Sequence, residues 1–327
     1  MAFPATRLRR TRQADWVRRL TRETRPTVDD LVWSMIVHDG DTPRIPITAM
    51  PGVERLNIEE AAKAARRAQD LGIPAIAMFP NIDPSKKDET GSEALNPKGL
   101  IPEAIRAMKA AAPDVGIICD VALDPFTSHG HDGLIDETGY VLNDETTELL
   151  VKQAIVQAEA GADVVAPSDM MDGRIGAIRK GLEAAGHTNT LILSYAAKYA
   201  SAFYGPYREA VGSATVLKSD KKTYQMDFGN SDEAIREVAM DIEEGADMVM
   251  VKPGLPYLDI VQRISKELHV PTLVFHVSGE YAAIQASAQR GWIDEDRAIV
   301  EITSAFKRAG ASGIITYNAD KLAQMLK

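Results

Sequence analysis
Short apolar runs alternate with amphipathic stretches along most of this chain. Apolar residues dominate 31–39, 74–82, 116–124, 164–169, 190–198, 248–253, 271–278 and 313–318. Each run is strand-sized and nearly continuous, the pattern of a parallel strand buried on both faces. Between them lie stretches with helical spacing, among them 58–72, 101–113, 144–162 and 231–246. Several close on glycine, as at Gly161, Gly245 and Gly310, which suits a helix C-terminal cap. Eight βα units predict a (β/α)8 barrel over residues 29–327. A doubly wound open sheet is the alternative, but no GxGxxG follows the first run, so the usual dinucleotide signal is missing.

In such a barrel the active site lies at the C-terminal ends of the strands. A period of two groups Asp120, Ala122 and Asp124 on one face of the third strand. It groups Ser194, Ala196 and Lys198 on the fifth, Met248, Met250 and Lys252 on the sixth, His276 and Ser278 on the seventh, and Ile315 and Tyr317 on the eighth. Ser168 ends the fourth. If these faces point inward, two lysines from adjacent strands meet aspartates, serines and a tyrosine. Burial and like charge both disfavour an ammonium ion. A neutral amine is what attack on a carbonyl requires. The alternative is that each lysine pairs with Asp120 or Asp124 as rim structure.

The insert 199–229 is long for an α/β connection and carries Phe203, Tyr204, Gly205, Pro206 and Tyr207, which predicts a lid over the pocket. Arg208, Lys221 and Gln225 within it suit a substrate carboxylate; the alternative is a solvated loop, for Lys218 and Lys222 in particular. His129, His131 and Asp132, with Asp124 nearby, form a set able to bind a divalent metal. Glu237, Asp241 and Glu244 share a helix face, read as solvated, with a metal or a basic-arm site as alternatives.

Composition narrows the field. The formal net charge of -10 argues against nucleic acid as a partner. No apolar stretch is long enough to span a bilayer. Cys119 is the one cysteine, so an intrachain disulfide and a thiolate-rich zinc site are excluded and a reducing cytoplasm is the expected compartment. Residues 1–28 stand apart: eight arginines fall between Arg7 and Arg25, against Asp15 and Glu23. A transit peptide, a disordered tail and an arm docking on a partner subunit all fit, and Trp16, Val17 and Leu20 favour the arm.

The segments RLRRT, DVALDPFTSHGHDG, APSDMMDGRIGAIR, LSYAAKYASAFYGPYREA, KKTYQMD, DMVMVKPGLPYLDIV, VSGEYA and ITYNA closely resemble the porphobilinogen synthase (5-aminolevulinate dehydratase) family through nearly the whole chain. The resemblance implies a (β/α)8 barrel with an N-terminal arm embracing a neighbouring subunit of a homo-octamer or hexamer. It implies a lyase that condenses two 5-aminolevulinate molecules into porphobilinogen, on the route to heme and chlorophyll, with loss of two waters. Lys252 would form a Schiff base with one substrate and Lys198 with the other. Ser278 and Tyr317 would hold the first substrate's carboxylate, and Arg208, Lys221 and Gln225 the second's. Asp120 and Asp124 would assist proton transfer, with Phe203, Ser168 and Asp132 lining the substrates. Many members hold a catalytic zinc through three cysteines where this chain has Ala122, Asp124 and Asp132. Two carboxylates and an alanine suit Mg2+ or no ion, so the chain resembles an aspartate-rich, zinc-independent subtype. Glu237 matches the position of an activating Mg2+ outside the active site, with Asp169 near it. Lys221 stands where an arginine is common, keeping the charge without the bidentate fork.

Overall fold
The structure, a computed structural model, describes residues 2–212 and 220–326. Among these, ten strands form one sheet: β1 (Leu31–His38), β2 (Arg44–Pro46), β3 (Glu54–Leu56), β4 (Ala75–Asn81), β5 (Gly116–Val121), β6 (Val164–Pro167), β7 (Leu191–Lys198), β8 (Met248–Lys252), β9 (Thr272–Phe275) and β10 (Gly313–Thr316). The order β1-β4-β5-β6-β7-β8-β9-β10 is parallel throughout, and β10 pairs back onto β1 through Leu31↔Ile314 and Val32↔Ile315. That closure makes an eight-stranded (β/α)8 barrel and removes the open-sheet alternative.

Period two along the strands builds two shells. Ile36, Phe79, Ile118, Met250, Phe275 and Ile315 fill the barrel interior. Their neighbours in sequence, such as Met35, Met78, Ile117 and Cys119, pack outward against the helices. The helices cap as their termini predict: Asn57 accepts the Glu60 N–H at the start of Ile58–Leu71, and left-handed Gly161 closes Asn143–Ala160.

Two sequence expectations fail here for physical reasons. β7 carries one extra residue relative to β8: Ser194 pairs with Val249, yet Ala197 pairs with Val251. This bulge inverts the side-chain phase. Leu193 and Tyr195 therefore point inward before it and Lys198 after it, whereas Ser194 and Ala196 face the helices. In the seventh barrel strand, β9 ends at Phe275, and His276 turns outward to Thr316 Oγ1 (3.1 Å) and the Phe306 ring. It shares no face with Ser278, which opens the helix Ser278–Gln289.

The acidic face of the helix Asp232–Glu243 is solvated only in part. Asp241 is buried and meets the fully buried Arg174 at 3.3 Å, with Asp169 3.5 Å from the same guanidinium and Ser194 donating to Asp241. The turn-rich stretch after β1 holds the short antiparallel pair β2–β3, which presents Arg55 to the insert. In the first 28 residues, Leu8–Arg12 and Asp15–Leu20 form short helical turns, and Phe3, Leu8, Trp16 and Leu20 are exposed.

Candidate active site
Lys198 and Lys252 end adjacent strands as a register pair, so both side chains rise from one edge of the barrel mouth. The chain holds their backbones firmly. Tyr199 N–H and the Tyr204 hydroxyl donate to Lys252 O, and Met226 N–H donates to Lys198 O. Both side chains are buried, yet their surroundings differ.

Lys252 Nζ lies among four rings: Phe275 (4.8 Å to the centroid), Tyr195 (5.0 Å), Tyr207 (5.3 Å) and Tyr204 (5.4 Å). Among the described residues it has no carboxylate within ion-pair distance. Burial, and then the charge of Lys198, lowers its pKa to about 7, against the pull of Asp120. Lys198 Nζ instead donates to Asp132 Oδ1 at 3.1 Å and to the Ser168 carbonyl. Two like residue types thus sit in opposite environments, one unpaired and one held by a carboxylate.

Asp120 lies beneath them, facing inward from β5. Burial lifts its pKa to about 6, with Lys252 opposing and Asp124 adding to the rise. The Ser168 and Tyr195 hydroxyls reach it, while its Oδ1 is buried with no hydrogen-bond partner. An orphaned buried carboxylate oxygen beside two amines is a group placed to exchange protons.

The second carboxylate cluster is paired. Lys221 Nζ contacts Asp132 Oδ2 at 2.6 Å and Asp124 Oδ2 at 3.3 Å. Burial alone would raise Asp132, but the charges of Lys198 and Lys221 outweigh it and hold the carboxyl far below its ordinary range. Lysine nitrogens therefore pair with both Asp124 and Asp132. The two histidines do not join them as a metal set. His129 Nε2 meets the Glu89 carbonyl, and His131 Nδ1 meets the Tyr224 hydroxyl. Among the described residues no group of three His, Cys, Asp or Glu converges as a metal site.

The insert covers this edge. Ala202–Tyr204 and the helix Gly205–Ala210 lie over Lys252; residues 213–219, with Lys218, fall outside the described residues. Ser278 Oγ accepts the Tyr207 N–H (2.9 Å), and a Cβ on Gly279 would lie 2.7 Å from Phe203 Cα. Arg55 of β3 donates to the carbonyls of Ala210 (2.6 Å) and Glu209 (2.7 Å) at the helix's other end. The Phe203 ring itself is exposed, and only its backbone reaches the site. Arg208, Lys221 and Gln225 line the pocket with both lysines, and among the described residues Arg208 has no acidic partner. The pocket measures about 30 Å³, room for a single water. Tyr317 lies in the barrel interior beside Phe275 and Tyr281.

Tyr195 and Arg55 were absent from the sequence expectation. The bulge concealed Tyr195, and the three-residue β3 concealed Arg55.

Glu237 is outside this cluster, in a cavity of about 370 Å³ with Asp172, Asp227 and Glu233. Burial raises its pKa to about 6; Arg174 opposes, and Asp241 and Asp172 add to the rise. The four carboxylates line the cavity together with Lys222 and do not converge as a preformed metal site.

The closed barrel with two amines and a carboxyl converging at its C-terminal mouth defines an α/β-barrel enzyme built for carbonyl chemistry. Residues 5–325 match the family model described as delta-aminolevulinic acid dehydratase. The delta-aminolevulinic acid dehydratase of Bradyrhizobium diazoefficiens is 58% identical over 99% of this chain and 91% of its own length. That of Rhodobacter capsulatus is 52% identical over 99% and 97%. The crystal structure of the Toxoplasma gondii ME49 enzyme in complex with the reaction product porphobilinogen superposes with a TM-score of 0.96 at 48% identity, covering 98% of this chain and 91% of that one. The chain belongs to the delta-aminolevulinic acid dehydratase family, whose members are hydro-lyases.

Proposed function
We propose that this chain condenses two molecules of 5-aminolevulinate into porphobilinogen, releasing two waters, through Schiff bases on Lys252 and Lys198. The observation that carries this reading is the register pair of buried lysines with contrasting partners. Lys252, with a pKa near 7, is substantially neutral at physiological pH and attacks the ketone of one substrate. Each imine forms with loss of one water and turns the ketone into an electron sink. The carbon next to one imine then becomes acidic enough to attack the carbon of the other, one lysine amine is expelled from that carbon, and the substrate's own amino group displaces the other lysine, so that two waters are the net loss. Holding both substrates covalently removes a bimolecular encounter, worth up to ~7–11 kcal/mol. Asp120, with a pKa near 6, takes up and returns protons, and Asp124 tunes its charge.

Arg208, together with Lys221 and Gln225, supplies the charge for one substrate carboxylate. Ser278 and Tyr317 take the other. For that, the carboxylate displaces the Tyr207 N–H from Ser278 Oγ, and the Tyr204–Arg208 segment moves outward to make room. Ser168, Asp132 and the backbone of Phe203 complete the wall.

The aspartate-rich loop makes the enzyme zinc-independent, because Asp124 and Asp132 are committed to lysines. Glu237 would hold an activating Mg2+, which would add positive charge to that acidic cavity. The exposed Phe3, Leu8, Trp16 and Leu20 support residues 1–28 as an arm on a second copy, in an octamer or hexamer. The lone buried Cys119 suits the cytoplasm, and among the described residues no helix is long and apolar enough to cross a membrane.

The test is incubation with 5-aminolevulinate followed by detection of the pyrrole product. Product from the wild type and none from Lys252→Met is expected; a wild type that makes no porphobilinogen would overturn the reading.

A further inference from the structure
His131 and Tyr224 have no part in the chemistry above, yet they meet behind it. Tyr224 belongs to the C-terminal part of the insert, in the same short stretch as Lys221 and Gln225. Its hydroxyl donates to Asp132 Oδ2 at 2.9 Å and lies 3.1 Å from His131 Nδ1, which donates to it when protonated there. The Asp132 backbone N–H approaches the same oxygen at 3.4 Å. Burial, then the charge of Asp132, raises the phenol's pKa far above its ordinary value, so it acts as a donor to the carboxylate.

The carboxylate of Asp132 is thus divided. Oδ2 receives Tyr224 and Lys221, and Oδ1 faces Lys198. A carboxylate with its remote oxygen saturated is fixed in rotation. One whose remote oxygen has lost a donor is free to swing both oxygens between two lysines. Tyr224 and Lys221 both arrive on the insert, whereas His131 and Asp132 come from the loop after β5. The clamp on Asp132 is therefore assembled between two loops.

We infer that Tyr224, backed by His131, is a positioning residue that fixes the Asp132 carboxylate so that it holds Lys198, and not Lys252, in place for its substrate. This rests on the proposed two-lysine chemistry. It predicts an asymmetric effect that a general loss of structure would not produce.

The experiment uses the full-length enzyme with 5-aminolevulinate and borohydride, and reads adducts on each lysine by mass spectrometry alongside steady-state kinetics. In Tyr224→Phe, which keeps the ring, the Lys252 adduct should remain within about twofold of wild type. The Lys198 adduct and kcat should fall about tenfold or more, in keeping with a lost hydrogen bond to a charged group. His131→Asn should shift the same ratio in the same direction by less. The double variant should match Tyr224→Phe alone, because His131 acts through the phenol. Equal loss on both lysines, or an unchanged Lys198 adduct, would overturn the inference, as would additive effects of the two substitutions. Absence of any adduct in the wild type would instead sink the two-lysine chemistry itself.

Discussion

At the scale of single residues, the proposed chemistry turns on the contrast between the surroundings of Lys252 and Lys198. Lys252 has rings around it and a like charge beside it; its folded pKa near 7 is below the ordinary lysine value. The ammonium is disfavoured, so imine formation at Lys252 should rise with pH and level off above about pH 7. Removing the like charge by Lys198→Met should move that rise to higher pH. Rapid-quench borohydride trapping across pH 5 to 9 checks both, and a flat profile, or a shift to lower pH, would contradict the assigned cause. Much of this site was legible in the sequence. Lysines that close apolar runs are conspicuous, and Asp120 falls inward by simple alternation. Tyr195 was not legible, because period two points it away from the pocket and only the bulge turns it in. Nor was the commitment of Lys221 to Asp124 and Asp132, since pairing across such sequence distances depends on how loops fold back.

At the scale of elements, the insert is seated on two rigid supports. One is the N-terminal end of Ser278–Gln289, where Gly279 allows the Phe203 backbone to lie directly on the helix. The other is Arg55, which binds the carbonyls at the end of Gly205–Ala210. A methyl group at position 279 would strike rigid backbone rather than a movable side chain. Gly279→Ala should therefore hold the insert off its seat. The expected result is a fall in kcat/KM of about tenfold to a hundredfold, the scale of a misplaced closing element, with the Lys252 adduct retained and faster proteolysis of the 202–210 segment. Wild-type kinetics with unchanged proteolysis would show that the seat is dispensable. The apolar runs and their helices were legible as elements because burial on both faces leaves a continuous pattern. The β2–β3 pair was not, since three residues among prolines and glycines carry no periodicity. The helix Asp232–Glu243 misled in the opposite sense: Asp241 looks solvated until Arg174, buried 67 positions away in sequence, is found against it.

At the scale of the whole molecule, barrel closure joins the β7–β8 edge to the carboxylates of β5 and its following loop, and the insert shuts the mouth from above. Glu237 sits on a helix whose next turn carries Asp241, bonded to Arg174, and Arg174 lies against Asp169 beside Ser168. A cation near Glu237 would therefore act on a buried network that ends at the carbonyl holding Lys198. Chelator-treated enzyme should keep activity without zinc and gain from added Mg2+. Glu237→Gln should lose that gain while keeping the basal rate, as read by steady-state assays with metal content measured in parallel. Restoration by Zn2+ alone would contradict the reading of the aspartate loop. The account stands or falls on two amines serving two substrates in one site. Borohydride reduction of the wild-type enzyme in saturating 5-aminolevulinate, followed by peptide mass spectrometry, tests this most directly. Adducts on both Lys252 and Lys198 are predicted, with Lys252 labelled first as substrate is titrated in; labelling confined to one lysine at saturation, or to neither, would contradict it.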